Sequence, residues 1–238
     1  MLNVMPKSWN DKSKPHLFCP GCGHGMALKQ LGFAIDGLGL QKEITLGVDI
    51  GCSLLAWNFL DVPTVQTHHG RTTPLMVGFK MSAPKRIAIA YMGDGAAWGI
   101  GLQNIIHAAY RNNPVTVIVI NNENFAMTGG QASYTTLPGT VTPTSPLGKS
   151  PDLGSGFKGP ELVRQMANKN AFIARSTVAN PIHLLTTLKK AILTQKESNN
   201  FSLVEVLSIC PTNWKTGAKA SLDIVVEMEK TYPIGEVK

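Results

Sequence analysis

The chain has 238 residues, 43% hydrophobic and 16% charged, with a formal net charge of +7. That length suits one domain with a substantial core, and the low charge density suits a chain that buries surface against partner subunits. No apolar run approaches the ~20 residues of a membrane helix, no N-terminal stretch resembles a signal peptide, and the basic residues lack the aromatic–basic pattern of nucleic-acid binders; membrane and nucleic acid are therefore set aside as partners, and a cytoplasmic location is expected.

Residues 1–17 are polar, with Pro6 and Pro15, and read as an extended arm over a neighbouring surface. Phe18-Cys19-Pro20-Gly21-Cys22-Gly23-His24-Gly25 follows. Glycines inside and after this C-x-x-C bend the backbone so that both thiolates and several N–H groups face one point. That suits zinc or an iron–sulfur cluster, whose potential depends on N–H donors to sulfur. A redox dithiol is a third option, but it would not need the other two cysteines. Met26–Leu38 reads as an amphipathic helix stopped by Gly37 and Gly39. Ile44–Ile50 is a strand that ends at Gly51-Cys52-Ser53, and Leu54–Leu60 a short helix. Thr64–Thr67 is a further strand, followed by His68-His69-Gly70-Arg71 and a helix with Thr73 as N-cap and Pro74 at its first position.

Arg86–Met92 and the β-branched Val115–Ile120 read as buried strands, joined by a helix over Ala96–Tyr110. Such a crossover implies parallel strands, and ligands bind outside the carboxyl ends of parallel strands. Polar insertions stand at both ends: Gly93-Asp94-Gly95 and, after 25 intervening residues, Asn121-Asn122. Asp94 offers a carboxylate, Asn122 an amide oxygen and Asn124 a backbone carbonyl. With phosphate oxygens and a water these make an octahedral magnesium site for a diphosphate. Gly93 and Gly95 let the backbone approach the phosphates. A nicotinamide site is disfavoured, since neither Gly93-Asp94-Gly95 nor Gly99-Ile100-Gly101 completes G-x-G-x-x-G. His107 is expected to pack toward the core.

Leu137–Pro160 holds five prolines and five glycines and reads as a surface loop that contacts another subunit. Pro160–Asn168 is a short helix, Ala171–Val178 a strand, and Pro181–Lys196 a helix opened by Asn180-Pro181. Phe201–Ile209 is the last strong strand, closed by Cys210-Pro211. Residues 211–238 are a mixed tail, with Trp214 expected near the cysteines. There is no repeat and no second core, so 1–238 is one domain. In a reducing compartment four cysteines at turns and strand ends point to metal or catalysis rather than disulfides.

The segment Gly93-Asp94-Gly95, the 25-residue spacing, Asn121-Asn122 and the continuation through Met127-Thr128-Gly129-Gly130-Gln131 resemble the thiamine diphosphate (TPP) motif in the β subunits of 2-oxoacid:ferredoxin oxidoreductases. The resemblance runs from Cys19 to about Trp214. It implies an α/β fold of the TPP-binding type, a mainly parallel sheet with helices on both faces. It implies that Cys19, Cys22, Cys52 and Cys210 hold a [4Fe–4S] cluster, although ligand type leaves a structural zinc open. Asp94, Asn122 and Asn124 would bind Mg2+. Gly51, Cys52, Ser53, His69, Gly93, Gly95, Ala96, Ala126, Met127 and Thr128 would complete the cofactor contacts. His69, in a segment similar to the family's HGR, would be the catalytic histidine near cofactor and substrate, with His68 structural.

The implied reaction is oxidative decarboxylation of a 2-oxoacid, with coenzyme A taking the acyl group and electrons passing through the cluster to ferredoxin. An α subunit would supply the other TPP half and the activating carboxylate, and a γ subunit or fused domain is expected, so the chain alone should be inert. The +7 charge is then either a solvated face or a docking surface for an acidic electron carrier. The apolar Leu54-Leu55-Ala56-Trp57 after Cys52-Ser53 favours an apolar acyl chain, and Thr144–Pro146, Val204–Ser208, Cys210–Trp214 and Tyr232–Gly235 look most like the branched-chain (2-oxoisovalerate) type. Ala96 and Leu54 depart from many relatives, which carry Asp and a basic residue there, and this leaves a pyruvate or 2-oxoglutarate type open. Two other readings remain: a non-redox TPP decarboxylase or synthase half with structural zinc, and a non-catalytic electron-transfer or scaffolding subunit.

Overall fold

Short apolar runs separated by amphipathic segments build a layered α/β structure. The computed structural model describes residues 5–12 and 15–238. Residues 1–4 and 13–14, which belong to the expected N-terminal arm, lie outside the described residues. In chain order the elements are α1 (Gly23–Leu38), β1 (Ile44–Val48), β2 (Thr64–Gln66), α2 (Thr72–Ser82), β3 (Ile87–Gly93), α3 (Asp94–Trp98), α4 (Leu102–Tyr110) and β4 (Thr116–Asn121). Then come β5 (Asn124–Phe125), β6 (Gln131–Ala132), α5 (Gly159–Met166), β7 (Phe172–Thr177), α6 (Pro181–Ser198), β8 (Ser202–Leu207), α7 (Pro211–Trp214), α8 (Ala218–Thr231) and β9 (Gly235–Glu236). Tight 3-10 turns cover Cys52–Asn58, Ala126–Thr128 and Pro151–Leu153.

Seven strands form one sheet in the order β2-β1-β3-β4-β8-β7-β9. All neighbours are parallel except β9, which runs antiparallel to β7. Strand side chains alternate between faces, so each buried strand feeds two cores. Ile87, Ile89 and Tyr91 of β3 and Ile118 and Ile120 of β4 pack with Leu28, Leu31 and Ile35 of α1 and Leu184, Leu188 and Ile192 of α6. Ala88, Ala90 and Met92, with Val117 and Val119, pack on the other face with Met76 of α2, Ile105 of α4 and Val163 of α5. Helices thus cover both faces, as the mainly parallel α/β reading requires. Among the described residues no helix is long and apolar enough to cross a membrane.

Several expectations need correction. The helix expected over Ala96–Tyr110 is two helices, broken at Gly99-Ile100-Gly101, where Gly99 leaves helical geometry at φ −93 and ψ −113. Two glycines weaken the helix, and the break has a packing reason. A Cβ on Gly70 would lie 2.5 Å from Gly101 N, and one on Gly99 would lie 2.5 Å from the Tyr134 ring. Ile100 is therefore exposed instead of facing the core, and so is His107. His68 is also exposed and does no packing work. Helix α2 starts at Thr72, with Arg71 rather than Thr73 at the cap, because the Thr72 hydroxyl is drawn to Asp49 at 2.7 Å.

The tail is more ordered than expected. Ser221, Val225 and Met228 form the buried stripe of α8, and Tyr232 is fully buried. Described parts of the N-terminal arm lie on this chain's own α1, where Ser8 N–H donates to Asp36 at 3.1 Å, and Trp9 pairs with Leu60. Residues 137–160 fold back on themselves, with Gly139 N–H donating to Lys149 O at 2.8 Å and Lys149 N–H to Thr140 O at 3.0 Å.

Candidate cofactor and metal site

Strands β1, β3, β4 and β8 all end at one side of the sheet, and their polar continuations meet there. A cleft of about 430 Å³ opens between them. Gly51, Cys52 and Ser53 line it from the end of β1, and His69 from the turn after β2. Gly93, Asp94, Gly95 and Ala96 enter from β3 and α3, and Asn122, Asn124, Ala126, Met127 and Thr128 from the turn after β4. Every candidate cofactor-contact residue named from the sequence therefore reaches the same cleft. His24, Ile50, Ile100, Phe125 and Tyr134 also line it and were not named. His24 and Phe125 stand inside the two motifs, so their proximity was available from the sequence. Tyr134 was not, since it follows β6, whose antiparallel pairing with β5 returns the chain to the cleft.

Asp94 is buried at the first residue of α3, and its Oδ2 accepts from Ser133 Oγ at 2.6 Å and Thr135 Oγ1 at 2.5 Å. Burial pushes this carboxyl up to about 6, against the pull of those two hydroxyls. Asn122 is also buried, and its Oδ1 has no hydrogen-bond partner among the described residues. Glu123, between Asn122 and Asn124, adopts φ 57, an uncommon conformation for a residue with a side chain. Its conformation is pinned by Asn121 Oδ1 accepting its N–H at 3.1 Å and by Thr136 Oγ1 bonding to its carbonyl. The Asn124 side chain is committed to the protein: Nδ2 donates to Asn122 O at 2.7 Å, and Oδ1 accepts from Asn213 at 3.4 Å.

The glycines divide in function. A Cβ on Gly93 would meet nothing within 4 Å, so the turn presents open backbone to the cleft. On Gly95 it would collide with the Phe125 ring at 2.2 Å, so packing, not phosphate approach alone, requires a glycine there.

His69 is exposed at the cleft wall, and its Nδ1 lies 4.0 Å from the buried Asp49 Oδ1. Asp49 also accepts the Gly70 N–H at 2.9 Å and so fixes the turn that presents the imidazole. Sequence reading missed Asp49. It stands in the apolar run ITLGVDI, where the periodicity suggests only a strand.

The four cysteines gather beside the cleft. Cys22 caps α1, Cys52 follows β1, and Cys210 precedes α7. Cys19 is exposed and Cys210 buried. Burial, with smaller contributions from Cys210 and Cys19, pushes the Cys22 thiol up to about 11 against the pull of the His24 and Gly25 N–H groups. Burial pushes Cys52 up to about 12, with added repulsion from Cys22, Cys210, Cys19 and Asp94. Burial also raises Cys210, while N–H donors from the Asn213 backbone and side chain and from the Asn124 side chain lower it. Backbone contacts bring three of the cysteines together: Cys22 N–H donates to Cys19 O at 3.0 Å, and Gly23 N–H donates to Ile209 O, next to Cys210, at 3.1 Å. Even so, among the described residues no group of three His, Cys, Asp or Glu is arranged to hold a metal ion. The donor chemistry nonetheless fits both groups. Buried thiols with N–H donors suit an iron–sulfur cluster, and one carboxylate beside an unpartnered amide oxygen suits magnesium on a diphosphate.

The four-residue run Leu54–Trp57 does not line the cleft. Leu54 and Leu55 pack against the core, and Trp57 is exposed. The apolar surface of the cleft comes instead from Ile50, Ile100, Phe125, Met127 and Tyr134, and among the described residues no Lys or Arg lines it.

Known proteins resemble the chain over most of its length. The model of the thiamine pyrophosphate enzyme C-terminal TPP-binding domain matches residues 49–206. Ketoisovalerate oxidoreductase subunit VorA of Methanothermobacter thermautotrophicus is 36% identical over 222 residues, which cover 91% of this chain and 46% of that protein. The chain thus spans about half the length of that relative. 2-Oxoglutarate synthase subunit KorB of Methanothermobacter marburgensis is 36% identical over 217 residues, 91% of this chain and 72% of that one. Among solved structures, the 2-oxoglutarate:ferredoxin oxidoreductase from Magnetococcus marinus, with 2-oxoglutarate, coenzyme A and succinyl-CoA bound, superposes with a TM-score of 0.78 at 26% identity, covering 89% of this chain and 70% of that one. With its GDG–NN cleft, its parallel sheet and these matches, the chain belongs to the TPP-binding domain family of thiamine pyrophosphate enzymes, among the β subunits of the 2-oxoacid:ferredoxin oxidoreductases.

Proposed function

We propose that this chain is the TPP- and [4Fe–4S]-binding subunit of an enzyme that oxidatively decarboxylates a 2-oxoacid, with coenzyme A as acyl acceptor and ferredoxin as electron acceptor. The observation that carries this reading is the convergence, beside one cleft, of an oxygen site at Asp94 and Asn122 and of four cysteines, with Cys52 lining the cleft itself. Decarboxylation alone needs no cysteines; an electron exit does. When bound, TPP supplies the carbon nucleophile and electron sink for decarboxylation, and the cluster supplies one-electron transfer.

This chain's residues have definite tasks in that reading. Asp94, the Asn122 amide oxygen and the Asn124 carbonyl would hold Mg2+ for the diphosphate. Cys19, Cys22, Cys52 and Cys210 would hold the cluster. His69, held by the Asp49–Gly70 turn, can give or take a proton at the cleft wall. The aminopyrimidine-activating carboxylate comes from a partner α subunit, with a γ subunit or fused domain completing the assembly.

A branched-chain 2-oxoacid fits the site best, because its acyl chain would meet Ile50, Ile100, Phe125 and Met127 with no cation to pair a second carboxylate. A 2-oxoglutarate type is the alternative, supported by the equal identity to the KorB relative. Anaerobic purification of the chain with its co-purifying partners, followed by visible spectroscopy, tests both points. The expected result is a brown absorbance that bleaches with 2-oxoisovalerate, TPP, Mg2+ and coenzyme A but not with 2-oxoglutarate in its place. Bleaching by 2-oxoglutarate alone would reverse the substrate assignment, and a colourless zinc protein would remove the redox function.

A further inference from the structure

Behind the cleft, one buried carboxylate ties together the two turns that carry the candidate magnesium ligands. Glu205 sits in the middle of β8, fully buried. Its Oε1 accepts from Trp98 Nε1 at 2.9 Å and from Asn121 Nδ2 at 3.2 Å. Trp98 is the last residue of α3, whose first residue is Asp94. Asn121 ends β4, and its other amide atom, Oδ1, holds the Glu123 N–H in the turn that carries Asn122 and Asn124. One oxygen therefore anchors both halves of the motif. The other oxygen, Oε2, accepts from Arg175 Nε at 2.6 Å. Arg175 is itself fully buried and forks onto Glu161 at 2.7 and 2.6 Å.

We infer that Glu205 is a positioning residue for the metal–diphosphate site: it sets the separation of the Asp94 turn from the Asn122 turn, and Arg175 with Glu161 holds Glu205 in place. The inference rests on the reading of Asp94 and Asn122 as magnesium ligands. Its physical basis is a contrast between stability and geometry. Apolar side chains of similar volume in place of the whole Glu205–Arg175–Glu161 cluster would cost folding little, since buried ion pairs contribute little net stability, whereas removing Glu205 alone strands its buried donors. Two N–H donors converging on one acceptor, by contrast, fix geometry. Magnesium demands near-ideal octahedral coordination, whereas calcium accepts a variable number of oxygens in a flexible arrangement. A small displacement of either turn is therefore felt by magnesium first.

The test is calorimetric titration of metal into the purified complex, this chain with its co-purifying partners, at saturating TPP, with Mg2+ and Ca2+ in parallel. Trp98→Phe removes one donor and keeps the ring. Glu205→Gln keeps an amide oxygen for Trp98 and Asn121, and Glu205→Met removes the acceptor. The Mg2+ Kd should rise roughly tenfold in Trp98→Phe and more in Glu205→Met, with Glu205→Gln nearest the parent, because partners behind metal ligands tune affinity on that scale. The Ca2+ Kd should move much less, and so raise the Mg2+/Ca2+ ratio. Equal losses for both ions, or no loss in Trp98→Phe, would overturn the positioning role even if Glu205→Met fails to fold. If the parent complex itself shows no magnesium-dependent TPP binding, the cofactor reading falls, and this inference with it.

Discussion

At the oxygen end of the cleft, Asp94 already has two hydroxyl donors, and the turn after β4 is pinned by Asn121 and Thr136. At the sulfur end, burial is what chiefly raises the Cys22 and Cys52 thiols, with smaller contributions from the other cysteines. The first end is organised by the protein before any cation arrives. The second consists of thiols whose neutral form burial favours at Cys22, Cys52 and Cys210, and one member, Cys19, is exposed. The difference teaches where rigidity is needed. A small hard cation tolerates little misplacement, whereas thiolates bonded directly to iron take their final geometry from the cluster.

The contrast can be broken most sharply at Cys19. Cys19→Ala should abolish iron incorporation, read by metal analysis, while TPP affinity measured calorimetrically stays within about threefold, as for independent sites. Loss of both would mean that the two ends form one unit. Asp94→Asn should do the reverse: magnesium-dependent TPP affinity falls about 100-fold, more than for an outer partner, with iron content intact.

The pH dependence sharpens the oxygen end. Burial, with Glu205 adding to it, pushes the Asp94 carboxyl up to about 6, so under the proposed function magnesium would have to displace a proton below that pH. Apparent Mg2+ affinity should therefore fall about tenfold per pH unit below that point and level off above it. The sign for stability is opposite. Because the folded pKa lies above the ordinary value of 3.8, the metal-free protein has this contribution in full below about 4 and loses it as pH rises toward about 6. An Mg2+ affinity unchanged between pH 5 and 7 would rule out Asp94 as the ligand that titrates.

The smallest effect is expected at Asn213, which touches both ends. It donates to Ala126 O at 3.0 Å and supplies N–H groups to Cys210. Asn213→Ala should weaken TPP binding by only about threefold, the loss of one neutral hydrogen bond. It should also lower the cluster potential, measured by redox titration, because a sulfur hydrogen bond is lost. An unchanged potential would leave the two ends chemically separate.

Much of this architecture is legible in the chain because its signals are local. Apolar runs mark the parallel strands, and glycines with short polar side chains mark the points where those strands end. What stayed hidden depends on distance. Glu205 reads as an anomaly in VEV until Arg175 and Trp98, far away in sequence, are brought beside it. Asp49 likewise waits for the Gly70 turn. The break at Gly99-Ile100-Gly101 follows from close approach of Gly70, which no helical periodicity encodes. Helix α8 is a different case: its Ser221, Val225 and Met228 stripe is local, but it falls in a segment read only as mixed.

The ends of the main sheet carry one more consequence. Strand β2 on one edge is three residues long, and β9 on the other is two and runs against its neighbour. Either border can offer only a few backbone rungs to a foreign strand, too few to template a ladder. A chain with this much buried β-branched sequence is thus shielded from cross-β aggregation by its shortest elements, and trimming or lengthening β9 would be the simplest way to alter its solubility.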